Sequence, residues 1–189
     1  MARFSYVEKD EAPQQVADIF AKMEAHGAPV LNLWKTAAHS PSTLAHLVRL
    51  GNALLAKTTL DPGLREMAVL RVAAILDCEY EIRAHSMFGK EVGLTYEQMT
   101  AIKDWESSGI FDETERAVLR FTDEVAKAAQ VSDETFSDLA KHLGPGMMVE
   151  LALAVGYYGM LARILLPFKV DLDDDAPTSS SQLVGRPQG

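Results

Sequence analysis

A single cysteine, Cys78, stands in a chain of 189 residues, and that scarcity excludes two chemistries. No disulfide can form within the chain, and no zinc site can be built from several thiolates of one chain. Positive charge is also short: 18 lysines and arginines face 27 aspartates and glutamates, a formal net charge of −9. No basic stripe is left to neutralise phosphates, so neither nucleic acid nor an anionic membrane surface is an expected partner. The opening stretch MARFSYVEKDEAPQQ lacks the basic region and apolar core of a secretory leader, and no apolar run reads as the roughly 18 residues of a membrane span. The expectation is a soluble, cytoplasmic protein. Alternating apolar and polar runs are missing too, so no strand is predicted.

What the chain has in quantity is helical periodicity. With 48% hydrophobic residues it is long enough to bury one substantial core, and a single domain over residues 1–170 is the expectation. Pro13 to Ala25 places Val16, Ile19, Phe20 and Met23 on one stripe, the pattern of a helix with one buried face. Ser42 to Leu55, Glu113 to Ala129, Asp133 to Leu143 and Gly146 to Leu166 also read as helices. Leu64 to Leu76 is apolar nearly all round, the mark of a helix in the middle of the fold or at a subunit contact. Turn signals at Gly27-Ala28-Pro29, Ser40-Pro41, Asp61-Pro62-Gly63, Gly93, Gly109 and Gly144-Pro145-Gly146 separate the segments. The result is an all-α architecture of six to eight helices. From residue 171 the chain turns acidic and rich in Ser, Pro and Gly, a composition that buries too little apolar surface to offset ordering entropy. Residues 171–189 are therefore expected to be disordered or ordered by a partner.

The stretch LDCEYEIRAH, residues 76–85, gathers a cysteine, two glutamates, a tyrosine and a histidine. Cys78, Glu81 and His85 are spaced three and then four residues apart, which puts them on one helix face within about 60° of arc. Glu66 lies twelve residues before Cys78, and a continuous helix would carry it roughly 18 Å away. A shared pocket therefore requires a break near Leu76-Asp77. Asp77 is the expected N-cap of the second helix, with the Cys78 thiol in the first turn, where the dipole favours thiolate.

An internal echo bears on the same residues. EMAVLR at 66–71 returns as ERAVLR at 115–120, five identities in six at an offset of 49; a duplicated helical hairpin and simple helix convergence both account for it. Under duplication, the positions equivalent to Cys78, Glu81 and His85 are Lys127, Gln130 and Glu134. The polar cluster would then be confined to one copy, as a site would be and a packing requirement would not.

Each member also has an ordinary structural reading. Cys78 fits a small buried hydrophobe, Glu66 near a helix start at Pro62 complements the dipole, Glu81 and His85 fit a surface pair, and Tyr80 fits a core. Jointly, a carboxylate and an imidazole beside apolar helix surface make a proton-transfer pair whose pKa values burial can bring toward neutrality. Glu81 and His85 offer two metal ligands, but no third ligand is evident and HExxH is absent, so no metal site is expected.

Glu66, eleven residues, Cys78, two residues, Glu81, three residues and His85, preceded by LDPGLRE and followed by VGLTYEQM, resembles the motif of the carboxymuconolactone decarboxylase family. Its alkylhydroperoxidase AhpD-like branch carries Glu-x11-Cys-x2-Cys-x3-His. The similarity runs over roughly residues 10–170, through NLWKTAAHSPSTLAHLVRLGNALL before the motif and SDETFSDLAKHLGPGMMVELALAVGYYGMLARILLPF after it. The resemblance implies an AhpD-like bundle of helical hairpins and a homo-oligomer, trimeric or hexameric, with the site near subunit contacts.

The departure from the motif matters chemically. A dithiol peroxidase resolves its first cysteine with a second, and that second position is Glu81 here. The EYEIRAH form resembles instead the non-redox members, which implies a cofactor-free lyase, decarboxylase-like, acting on a small carboxylated or carbonyl metabolite in aromatic-compound catabolism. On that resemblance His85 is the expected general acid/base, Glu81 transfers a proton or orients the imidazole, and Glu66 holds Glu81 or the substrate. Cys78 lines the pocket, with Tyr80, Trp34, His39 and Tyr157 as further candidates. Arg65, Arg71 and Arg83 could clamp a carboxylate, but solvated faces or structural ion pairs suit them as well. Isomerisation, dehydration and aldol-type cleavage need the same pair, and the alternatives of a different class are a single-cysteine thiol redox or sensing role through Cys78 and a binding or assembly protein that keeps the fold without activity.

Overall fold

A computed structural model of the protein describes residues Met1–Asp174. Nine α-helices and no strand occur among the described residues: α1 (Gln14–Ala25), α2 (Asn32–Ala37), α3 (Pro41–Ala56), α4 (Pro62–Ile75), α5 (Glu79–Glu91), α6 (Tyr96–Ala101), α7 (Glu113–Ala128), α8 (Asp133–Leu139) and α9 (Pro145–Phe168). The all-α expectation holds, with one helix more than its upper bound. The two helices that no segment of the sequence reading marked, α2 and α6, are six residues each, too short to display an apolar period.

Contacts within residues 1–170 fall into two compact units, Met1–Lys57 with the chain from Arg163, and Thr58–Ala162. In the first, Val16 and Phe20 of α1 pack with Ala37, Ala38 and Leu44. Residues 171–174, expected to begin a loose tail, are tied down: Asp171 accepts hydrogen bonds from the Ala2 amide and the Tyr6 hydroxyl, and Asp173 from the Asn32 amide. The rest of the expected tail, 175–189, lies outside the described residues.

The second unit is built around α4, whose Asp61 N-cap accepts from the Leu64 amide and whose first position is Pro62. Pro there gives up an amide that would be unpaired anyway. Glu150 of α9 accepts from the Thr59 and Leu60 amides just ahead of α4. Helix α4 packs on α5 and α7, so it is buried on more than one side, as its all-round apolarity predicts. One side contributes Ala68 and Val72 to a cluster with Ala117, Val118, Phe121, Leu151 and Val155. Another contributes Met67 and Leu70 to a cluster with Trp105, Phe111 and Leu119. The residues shared by EMAVLR and ERAVLR are thus largely contacts of the α4–α7 packing. Arg71 clasps this packing by bonding Asp123 Oδ2 through Nη2 at 2.9 Å and the Ile102 and Lys103 carbonyls through Nη1.

Helix α9 corrects one expectation. An 18-residue window within Pro145–Phe168 has a mean hydropathy of 1.6, long and apolar enough by length and composition to cross a membrane, where the sequence reading found no such run. Half of that window is buried in the fold, as in the core helix of a soluble protein.

Candidate active site

The site arises where the α4–α5 hairpin turns. Helix α4 ends at Ile75, and the Cys78 amide bonds back to the Ala73 carbonyl at 2.9 Å while the Asp77 amide reaches Ala74 at 3.3 Å. This is a Schellman closure, which needs a left-handed residue, and Asp77 supplies it with φ 53°. The break therefore falls where it was expected, but Asp77 is not the N-cap of α5. Cys78 holds that place, with no capping hydrogen bond from its side chain. Asp serves as N-cap and, among the few non-glycine residues, also enters the left-handed region, which is how the sequence misled.

The reversal brings Glu66 back to α5. His85 Nδ1 donates to Glu66 Oε2 at 2.6 Å, and His85 Nε2 faces Glu81 Oε2 at 3.3 Å. Beyond Glu66, Arg65 Nε and Nη2 each stand 3.1 Å from Glu66 Oε1. Arg65, Glu66, His85 and Glu81 thus form one buried chain of alternating charge, exposed by 4%, 0%, 3% and 4%. Such a chain is tolerable in a core only because each charge meets its opposite. Glu66, assigned on sequence to hold Glu81 or the substrate, holds the imidazole and Arg65 instead.

Burial by itself would lower the His85 pKa, but the charge and hydrogen bond of Glu66, followed by those of Glu81, push it up from 6.5 to about 9. Burial would raise Glu66, yet His85 and then Arg65 hold it below its ordinary value. The Glu66–His85 pair therefore favours the protonated imidazole beside an ionised Glu66 near neutral pH.

Cys78 behaves oppositely to the thiolate expectation. Burial raises its pKa from 9.0 to about 11, and the nearby charges of Glu81 and Asp77 add to the rise, outweighing the opposing pull of the Glu81 and Tyr80 amides. Cys78 is fully buried, so a helix start alone does not make the thiolate accessible.

Of the other candidates, Tyr80 is buried in the first turn of α5 beside Cys78. Tyr157 is buried, and burial and then the Glu81 charge hold its hydroxyl well above its ordinary pKa. Trp34 and His39 belong to the first unit, where Trp34 packs against the α1 cluster and His39 Nε2 meets the Ser5 carbonyl at 2.8 Å. Arg71 is engaged in its α4–α7 clasp, and Arg83 is exposed. Tyr158, which the sequence reading passed over, sets its ring edge-to-face on His85 with centroids 4.6 Å apart, and Phe88 does so at 5.2 Å. The neighbouring tyrosine pair in an apolar helix was the available signal. Among the described residues no group of three or more His, Cys, Asp or Glu side chains is arranged to hold a metal ion.

Residues 41–124, which contain Glu66, Cys78, Glu81 and His85, match the carboxymuconolactone decarboxylase family. The chain is 30% identical over 112 residues to the Escherichia coli protein YnjA, covering 57% of this chain and 59% of that one. It thus spans less than two thirds of the length of the curated relative it matches. Likeness of fold is broader. An alkylhydroperoxidase AhpD-core, peroxidase-related protein from Ralstonia eutropha superposes with a TM-score of 0.80 at 22% identity, over 98% of this chain and 96% of that one. The debrominase Bmp8 superposes with a TM-score of 0.73 at 20% identity, over 95% of each chain. The fold is the AhpD-like helical fold, and the family match agrees with the resemblance carried by the motif.

Proposed function

We propose that this chain is a cofactor-free lyase of decarboxylase type, acting on a small carboxylated or carbonyl metabolite by proton transfer through Glu81 and His85. The observation that carries the reading is the buried Glu66–His85–Glu81 chain, in which each imidazole nitrogen of His85 faces a carboxyl oxygen. Both imidazole nitrogens are engaged, at 2.6 Å and 3.3 Å, so Glu81 is the group that meets the substrate and His85 is the proton reservoir behind it. In a decarboxylation of a β,γ-unsaturated acid, His85 passes its proton to Glu81 and Glu81 protonates the far carbon of the alkene, while the bond to the carboxylate breaks and its electron pair becomes the new carbon–carbon double bond. Carbon dioxide leaves, and the imidazole regains a proton from water. Glu66 and Arg65 keep the imidazole oriented and its charge balanced.

The same pair serves isomerisation, dehydration and aldol-type cleavage. The debrominase Bmp8 has been crystallised with 2,3,4-tribromopyrrole, which favours including small ring compounds among the substrates tested. A thiol redox role is disfavoured by the lone, buried Cys78 with its raised pKa.

The test is a screen of small carboxylated and carbonyl compounds for carbon dioxide release, with proton NMR in heavy water to catch isomerisation, dehydration and cleavage. For a substrate so found, Glu81→Gln and His85→Gln should each lower kcat by about 10²–10⁴-fold, and Cys78→Ser should leave it nearly unchanged. Unchanged turnover in His85→Gln would refute the assignment.

A further inference from the structure

Among the described residues, Glu81 Oε1 is the buried side-chain nitrogen or oxygen that has no hydrogen-bond partner. Its sister oxygen faces His85, and the side chain is 5% exposed. A buried acceptor left unpaired bears its full desolvation penalty, which argues for an occupant that donates to it. The occupant's charge follows from the neighbours. Arg65 and His85 balance Glu66 and Glu81 when His85 holds its proton, and both cations are committed: Arg65 to Glu66 Oε1, His85 to Glu66 and Glu81. The Glu81 charge also raises the pKa values of Cys78, Tyr157 and Tyr158. None of these supplies a positive charge.

We propose that the group bound against Glu81 Oε1 is an uncharged hydrogen-bond donor, a hydroxyl or a ring N–H, and that the site rejects a carboxylate at that position. An anionic oxygen there would face the Glu81 charge at low dielectric with Arg65 and His85 already committed; an uncharged donor meets the bond left open at Oε1 and leaves the balance intact. The inference rests on the acid/base reading for its location and deepens it. A substrate that carries a carboxylate places it away from Glu81 and turns a hydroxyl, enol or ring N–H toward Oε1. The rings of Tyr158 and Phe88 beside His85 make a flat ring the suitable probe.

The experiment is ligand-detected NMR on the full chain near neutral pH with phenol, anisole and benzoate, three probes of similar shape. Phenol donates, anisole only accepts, and benzoate is anionic. Phenol should bind saturably in the millimolar range, with anisole and benzoate about tenfold weaker. In Glu81→Gln, whose amide can donate as well as accept, benzoate should gain on phenol. Benzoate or anisole equal to phenol on the unaltered chain, or no saturable phenol binding, would overturn the proposal whether or not the variant folds. Absence of this selectivity on the unaltered chain, with turnover lost in Glu81→Gln and His85→Gln, would sink the donor inference alone. Phenol selectivity on the unaltered chain, with turnover unchanged in those variants, would sink the acid/base reading alone.

Discussion

His85 Nδ1 stands 2.6 Å from Glu66 Oε2, a contact between residues nineteen apart that exists because the chain reverses between α4 and α5. Glu66 is fully buried and its other oxygen holds Arg65, so it ties two cations to one carboxylate. Removing it takes from Arg65 a carboxylate it holds in the core and leaves His85 with Glu81 alone. Glu66→Ala should cost roughly 3–5 kcal/mol of stability, and Glu66→Gln less because the amide keeps one acceptor. Urea denaturation of both variants checks this; a cost under about 1 kcal/mol for Glu66→Ala would place the carboxylate in solvent rather than core.

Stability should fall on the alkaline side. The folded state holds the His85 proton more tightly than the unfolded chain, so its contribution is fully present below pH 6.5 and is lost as pH rises through about 9. The lowered Glu66 works in the opposite direction, its contribution present above pH 4.5 and lost as pH falls. Melting temperature should therefore be highest between pH 4.5 and 6.5 and decline toward 9. His85→Gln should flatten the alkaline decline, which differential scanning calorimetry across the range would reveal.

The hairpin turn offers a separate test. Asp77 occupies the left-handed position with φ 53°, and Gly93 occupies the same position at the end of α5 with φ 97°. Asp77→Gly should stabilise by about 0.5–1 kcal/mol by relieving the Cβ crowding, whereas Gly93→Ala should destabilise by about 1–2 kcal/mol. Denaturation midpoints give the sign directly, and a destabilised Asp77→Gly would mean that the Asp77 side chain itself secures the turn.

Cys78 should be inert. With its thiol pKa pushed up to about 11 and the residue fully buried, a thiol-specific chromogenic reagent should react with it only after unfolding. Rapid reaction of the native protein near neutral pH would return a thiol role to consideration.

Much of the site was legible from spacing. The three- and four-residue intervals among Cys78, Glu81 and His85, and the need to bring Glu66 back, together demanded a helix break that the structure contains at Leu76-Asp77-Cys78. The character of that break was not legible, because Asp is at home both in N-caps and at left-handed positions. Gly27 and Gly93 make the same kind of closure at the ends of α1 and α5, and there the glycines did mark turns. The partner of each carboxylate was hidden as well: period and spacing assign residues to faces, but only packing decides that Glu66 meets His85 rather than Glu81. Tyr158 was overlooked, and Arg65 could be named only as one of three arginines without its partner, for a related reason. Single positions in very apolar helices carry no signal of which neighbour they will touch.

The account turns on a charged His85 between two carboxylates, and the most direct measurement is a ¹⁵N NMR titration of the histidine side chains, with His85 assigned by the His85→Gln variant. The imidazole should remain doubly protonated through neutral pH and lose its proton near pH 9. Titration at or below the ordinary value of 6.5 would contradict the buried proton reservoir and with it the assigned chemistry.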